Sequence, residues 1–166
     1  MDIRQSRATR RLASVRGDSV SPASNRSSNR IIACGAISAA LAVAVGAFGA
    51  HALEGRVSAD MLANYETGAR YHFYHSLGII GVGLLALLRA TSGDTGIDTD
   101  TDAHRSGAAT RLRWSAVLML AGIVLFSGSL YAMALTGTRW LGAVTPFGGV
   151  AFLAAWGLLA WAALEE

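Results

Sequence analysis

The sequence predicts an all-α membrane protein: a bundle of four transmembrane helices, both termini on the inner side, with a short amphipathic helix on the outer face between the first and second spans. Three observations predict it. Four apolar stretches have cores without acid, base or histidine, and each is long enough to cross the hydrocarbon layer. Only 15% of the 166 residues are charged and mean hydropathy is +0.40, where soluble domains carry about 25% charged residues. The fourteen basic residues, all arginine, are unevenly spread, and cytoplasmic segments of membrane proteins collect such residues. The length predicts one domain.

Residues 1–30 are rich in Arg, Ser and Asn and show no apolar periodicity, so they are expected to be a disordered tail. Arg4, Arg7, Arg10, Arg11, Arg16, Arg26 and Arg30 all precede the first apolar run. They read as a cytoplasmic topology determinant, not as a nucleic-acid site. Arg10 and Arg11 stand too far from the apolar run for a twin-arginine signal, and the polar residues before Cys34 exclude a lipobox. Cys34 is the one cysteine, which rules out an intramolecular disulfide. The absence of methionine between Met1 and Met61 leaves room for initiation at Val15 or Val20.

The membrane domain is expected over residues 31–164. The first span, 31–50, is uncharged and about 30 Å long as a helix, longer than the apolar core of a signal peptide. Gly35, Ala39, Ala42, Gly46 and Gly49 recur at spacings of four and three. This stripe of small residues suits close helix contact, so the first span is expected to be central. Ser58 is placed to cap a helix with Asp60 in its first turn. Residues 59–68 then read as an interfacial amphipathic helix, with a bend at Gly68 before the second span at 69–88. Arg89 closes that span from the headgroup region.

A polar loop follows over 91–110. Its Asp98, Asp100 and Asp102 alternate like calcium ligands, but Ala103 and Ala109 occupy the positions where the loop needs glycine and a final acid. The third span covers 114–135, and Ser115, Gly122 and Ser129 repeat every seven residues as a second packing stripe. Arg139 and Trp140 mark a turn. Thr145 reads as an N-cap and Pro146 as the first helical residue of a fourth span, 146–164; a helix from Trp140 kinked at Pro146 is the alternative. With both termini inside, the inner segments hold eleven arginines and the outer ones only Arg56, Arg70 and Arg139.

The densest polar stretch is YETGARYHFYHS, residues 65–76, at the lip of the second span. With neighbouring loops it defines a candidate outer-face cluster: His51, Tyr65, Glu66, Arg70, Tyr71, His72, Tyr74, His75, Arg139 and Trp140. His72 and His75 lie about 60° apart on a helix and suit a shared metal, with His51 as the one available third ligand. Glu66 precedes Arg70 by four residues, the favourable order for a helical ion pair. Deep in the spans only Ser38, Ser127, Ser129 and Cys34 offer polar atoms, whereas proton-coupled carriers keep an ionisable group there. Nucleophile–base spacings and paired carboxylates are missing too. No enzyme activity and no cofactor are therefore expected.

Four motifs occur in order: GAFGAH at 46–51, YETGARYHFYHS at 65–76, FSGSLY at 126–131 and TGTRWLGAVTPFGG at 136–149. In these the chain resembles the family of domain of unknown function 423, which includes the YwdK-like bacterial proteins and transmembrane protein 256 of animals. The resemblance covers roughly residues 31–164 and implies a small multi-pass membrane protein, without an activity, substrate or cofactor to carry over. The basic tail and the Asp/Thr-rich insertion fall outside the shared motifs. The expected role is a non-enzymatic structural, assembly or modulatory component of the bacterial inner membrane. Its expected partners are the lipid bilayer and either a second copy or another membrane protein, and not nucleic acid. The alternatives are a small-solute or ion transporter and a metal or haem binder through His51, His72 and His75.

Overall fold

A chain that crosses lipid must satisfy every backbone N–H and C=O within itself, which leaves helices as the economical solution for runs of this length. The computed structural model describes residues 22–92 and 99–164, and among these there are helices and turns but no strands. Helix α1 covers Pro22–Phe48 and passes into a π-helical turn at Gly49–Leu53. Helix α2, Ala59–Ser92, is capped by Ser58, whose Oγ accepts the Met61 N–H at 3.4 Å. Helix α3, Thr99–Gly122, continues through a π-helical turn at Ile123–Ser127 into α4, Gly128–Thr136. Gly137 ends α4 with φ of 70°, a left-handed conformation that only glycine adopts cheaply. A 3₁₀ turn at Arg139–Ala143 leads to α5, Thr145–Leu164.

Among the described residues, four helical segments are long and apolar enough to cross a membrane: Asn25–Leu53, Ala59–Thr91, Ser106–Thr136 and Arg139–Leu164. The first packs along the second and the third along the fourth, while the second and third join the two pairs. Between the joined helices lies a core of Ile79, Val82, Leu112, Met119, Phe152 and Ala155. A second cluster, nearer the α1–α2 turn (hereafter the upper end), gathers Leu53, Met61, Tyr65, Leu130 and Met133. At the other end the Arg111 guanidinium lies 4.3 Å over the Trp161 ring, tying the start of the third span to the end of the fourth.

Several boundaries differ from the sequence reading. The expected disordered tail falls on 1–21, outside the described residues, but from Pro22 the chain is already helical. The expected loop over 91–110 is helical from Thr99, and 93–98 lie outside the described residues. Gly68 does not bend the chain, and no separate amphipathic helix exists: 59–68 are the first turns of α2. The reason is continuity of the buried face, since Met61, Tyr65, Gly68, His72, His75, Ser76 and Ile79 follow one another at helical spacing and all are buried. Gly68 serves packing, because a Cβ there would stand 3.0 Å from the Tyr131 ring and 3.3 Å from the Ser127 carbonyl. Thr145 begins α5 without capping it; its hydroxyl instead meets Ser129 Oγ at 2.8 Å.

Helix α1 is peripheral, not central. Ile37, Leu41, Val43 and Phe48 are exposed, and one face alone meets α2. That face holds Gly35, Ser38, Ala42 and Gly49, with Ala39 and Gly46 half-buried beside it. A Cβ on Gly35 would lie 2.9 Å from the Ile80 backbone nitrogen and 3.0 Å from the Ser76 carbonyl. Gly46 has nothing within 4 Å of the same position. Lipid solvates apolar side chains as well as protein does, so helix association depends on such close contacts. Gly35→Ala is expected to lower the thermal midpoint of the detergent-solubilised protein. Gly46→Ala should hold or raise it, because alanine is about 1 kcal/mol better than glycine in a helix interior. Equal midpoints for both variants would remove Gly35 from the α1–α2 contact.

Candidate functional site

The polar stretch at the top of α2 divides by helical face. Glu66 and Arg70 are exposed, and among the described residues they form no ion pair. Tyr65, His72, His75 and Ser76 turn into the bundle. Tyr65 donates its hydroxyl proton to the Val45 carbonyl at 3.0 Å, its ring lies 4.8 Å from that of Tyr131, and it fills the space that a side chain on Gly49 would occupy. One aromatic ring thereby clamps α1 and α4 to α2.

His72, 8% exposed, lies at the centre of a closed network. Ser76 donates to the His72 backbone carbonyl at 2.8 Å. With that proton spent, Ser76 Oγ accepts from Ser38 of α1 at 2.7 Å. Ser38 in turn accepts from His72 Nε2–H at 3.1 Å, leaving Nδ1 to accept the Tyr131 hydroxyl proton at 3.3 Å. This one set of hydrogens satisfies every donor with the imidazole neutral and protonated on Nε2. The network joins α1, α2 and α4 among side chains buried inside the bundle, and a half-satisfied version would be costly.

His75, 5% exposed, faces a different neighbour. Its Nδ1–H donates to the Tyr71 carbonyl at 2.7 Å, and its ring stacks on Phe152 of α5 with centroids 3.3 Å apart and planes 12° apart. Tyr71 packs on Phe126 at 4.7 Å, and Phe126 meets Phe152 at 5.6 Å. The π-helical turn delivers Phe126 to this aromatic group. It also holds Ser127, which is fully buried with an unpartnered Oγ.

The remaining predicted residues lie apart. His51 is exposed on the turn after α1, and Arg139 and Trp140 are exposed on the 3₁₀ turn. The structure therefore does not bring His51, His72 and His75 together, and among the described residues no three His, Cys, Asp or Glu side chains gather into a metal-binding group. Although His72 and His75 share a helix, one addresses α1 and α4 while the other addresses α5. The third-span stripe turns toward the fourth span: Ser115 donates to the Ala155 carbonyl at 2.8 Å, Gly122 lies beneath the Phe152 ring, and Ser129 Oγ meets Thr145 Oγ1 at 2.8 Å.

Sequence reasoning did not group Ser38, Ser76 and Tyr131 with His72. A signal existed for Ser76, four residues after His72 and so able to reach its carbonyl. None existed for Ser38 or Tyr131, whose alignment depends on how neighbouring helices are set in depth. Chemically the network binds helices together. Its serines are spent on fixed acceptors, so neither stands beside a base with a free proton to give up.

Comparison with known proteins agrees with a membrane protein. The family described as protein of unknown function (DUF423) matches residues 45–149. The chain is 46% identical over 134 residues to the UPF0382 membrane protein YwdK of Bacillus subtilis, covering 81% of this chain and 95% of that protein. It is 42% identical over 134 residues to the UPF0382 membrane protein SERP0230 of Staphylococcus epidermidis, covering 81% and 94%. It is 40% identical over 124 residues to the UPF0382 inner membrane protein YgdD of Escherichia coli K12, covering 75% and 81%. No solved structure matches.

Proposed function

The chain belongs to the DUF423 family of membrane proteins, and from that premise we propose a non-enzymatic role: a four-span component of the bacterial inner membrane that assembles with or modulates another membrane protein, or a second copy of itself. The observation that supports this reading is the closed Ser38–Ser76–His72–Tyr131 network. Its interior polar groups are spent on one another, whereas a transport path needs groups that exchange partners with water or substrate. The bilayer is its solvent. The arginine distribution supports placing both termini in the cytoplasm.

Transport gated by Glu66 and Arg70 draws less support, because both side chains stand outside the bundle. A metal or haem role draws less still, with His51 apart from the buried histidines. Reconstitution tests the reading. Liposomes carrying the purified full chain are expected to pass protons, potassium and small uncharged solutes at the rate of protein-free liposomes. Flux above that rate, lost in the Glu66→Gln/Arg70→Ala double variant, would establish a carrier and overturn the proposal.

A further inference from the structure

Beside His75, residues of α2, the π-helical turn and α5 line an open lateral cleft of about 620 Å³, within the usual range for small-molecule sites. Its walls are aromatic: Tyr71, Tyr74, Phe126, Phe152 and Trp156, with His75 among them. Val150 and Leu153 border it and are 64% and 75% exposed, so the cleft opens sideways to the acyl chains. An apolar groove facing lipid would by itself mean little. His75 makes this one different.

The histidine is 95% buried by its 5% exposure, yet it lines the cleft. Its Nδ1 lies 2.7 Å from the Tyr71 carbonyl, which can only accept, so Nδ1 carries the hydrogen. Nε2, on the far edge of the same ring, is then a lone pair, and among the described residues no protein group meets it. The ring cannot turn to present Nδ1 instead without losing both the carbonyl bond and its stack on Phe152. The cleft therefore offers one fixed acceptor inside an aromatic wall. Its complement is a hydroxyl donor carried on a planar ring, since aromatic side chains pack favourably against another ring, offset-stacked or edge-to-face.

Depth fits such a ligand. Arg70 and Arg89 lie nineteen residues apart, about 28 Å of helix, close to the thickness of the hydrocarbon layer. His75, five residues on from Arg70, is about 7 Å inside that layer. An amphiphile with its polar ring just below the headgroups would place its hydroxyl there and leave its tail in the lateral opening.

The geometry points to a binding site for a hydroxylated aromatic amphiphile, of the phenol or quinol class with an alkyl or isoprenoid tail, in the cleft between α2 and α5 with its O–H donating to His75 Nε2. The assignment goes beyond the scaffold role and does not depend on it. Because the acceptor is fixed, the site reads the hydroxyl: a ring whose oxygen is methylated, or oxidised to a carbonyl, brings no proton to donate.

The test uses para-dodecylphenol and its methyl ether as probes, with the full chain in detergent and occupancy read by native mass spectrometry. The wild-type protein is expected to bind the phenol about tenfold more tightly than the ether, the worth of one hydrogen bond in a dry site. His75→Phe keeps the ring stacked on Phe152 but removes the lone pair, and should reduce phenol binding to the level of the ether. Gly149→Leu should block both probes, since a Cβ there meets only Phe126 Cδ2, at 4.0 Å, and the added side chain fills open cleft. Equal binding of phenol and ether by the wild type would overturn the assignment, since a cleft that takes any alkyl chain does not read a hydroxyl. So would binding of neither probe, or unchanged phenol binding in His75→Phe. The wild-type comparison stands even if a variant fails to fold.

Discussion

Replacing Gly148 by valine is expected to lower stability by about 3 kcal/mol, near the top of the range for overpacking a tight site. A Cβ at this position would lie 2.7 Å from the Cβ of Phe126 and 2.8 Å from its Cα, with the Phe126 backbone nitrogen closer still. These are backbone and near-backbone atoms, so no rotamer change relieves the collision. Phe126 cannot retreat, because it belongs to the π-helical turn and its ring is held between Tyr71 and Phe152. The remaining escape is for α5 to move away from the third span, which lengthens the 2.8 Å bond from Ser115 to the Ala155 carbonyl. Thermal unfolding of the detergent-solubilised protein should show a midpoint lower by roughly 6–12 °C. Gly157→Ala is the control: the same Cβ test finds nothing within 4 Å there, so its midpoint should hold or rise. A tolerated valine at 148 would mean that the third and fourth spans are not packed as described.

Removing the His72 imidazole is expected to cost about 2 kcal/mol. His72→Leu preserves bulk but strips partners from Ser38 and Tyr131 together. A buried polar group without a partner costs about 1–3 kcal/mol in soluble proteins, and hydrogen bonds between membrane helices average nearer 0.6 kcal/mol with a maximum of about 1.7. Two such losses give the figure. The more telling measurement is the double variant. In His72→Leu/Ser38→Ala the serine hydroxyl that lost its imidazole partner in the first change is gone, so the two costs should fall short of their sum by about 1 kcal/mol. Strict additivity would mean that Ser38 and His72 do not share a hydrogen bond, and the network would lose its centre.

Parts of this molecule are legible one helix at a time. Gly35 and Gly49 were readable as contact residues from their spacing on α1, since small side chains on one face are informative wherever helices meet. Gly68 was not. An isolated glycine after an amphipathic stretch has the same appearance whether it bends the chain or admits a neighbour. Here the buried face of α2 runs through it unbroken, and the Tyr131 ring occupies the space at 3.0 Å. The two histidines show the same limit. Their angular separation was calculable, but what stood opposite each was not, so a shared metal and two unrelated contacts could not be told apart.

The sequence by itself determined the number of helices long and apolar enough to cross a membrane and the absence of strands in the described chain, because a bilayer leaves an apolar run of that length only one way to satisfy its backbone. It also determined which residues share a face, through the 3.6-residue period. The tertiary structure alone decided what each face meets. Relative depth and rotation of the helices are fixed by close backbone approaches at Gly35 and Gly148 and by the π-helical turn at Ile123–Ser127, none of which follows from the period of any single helix. Those approaches place Ser38 and Tyr131 on His72, put Phe152 under His75, and leave His75 lining an aromatic cleft.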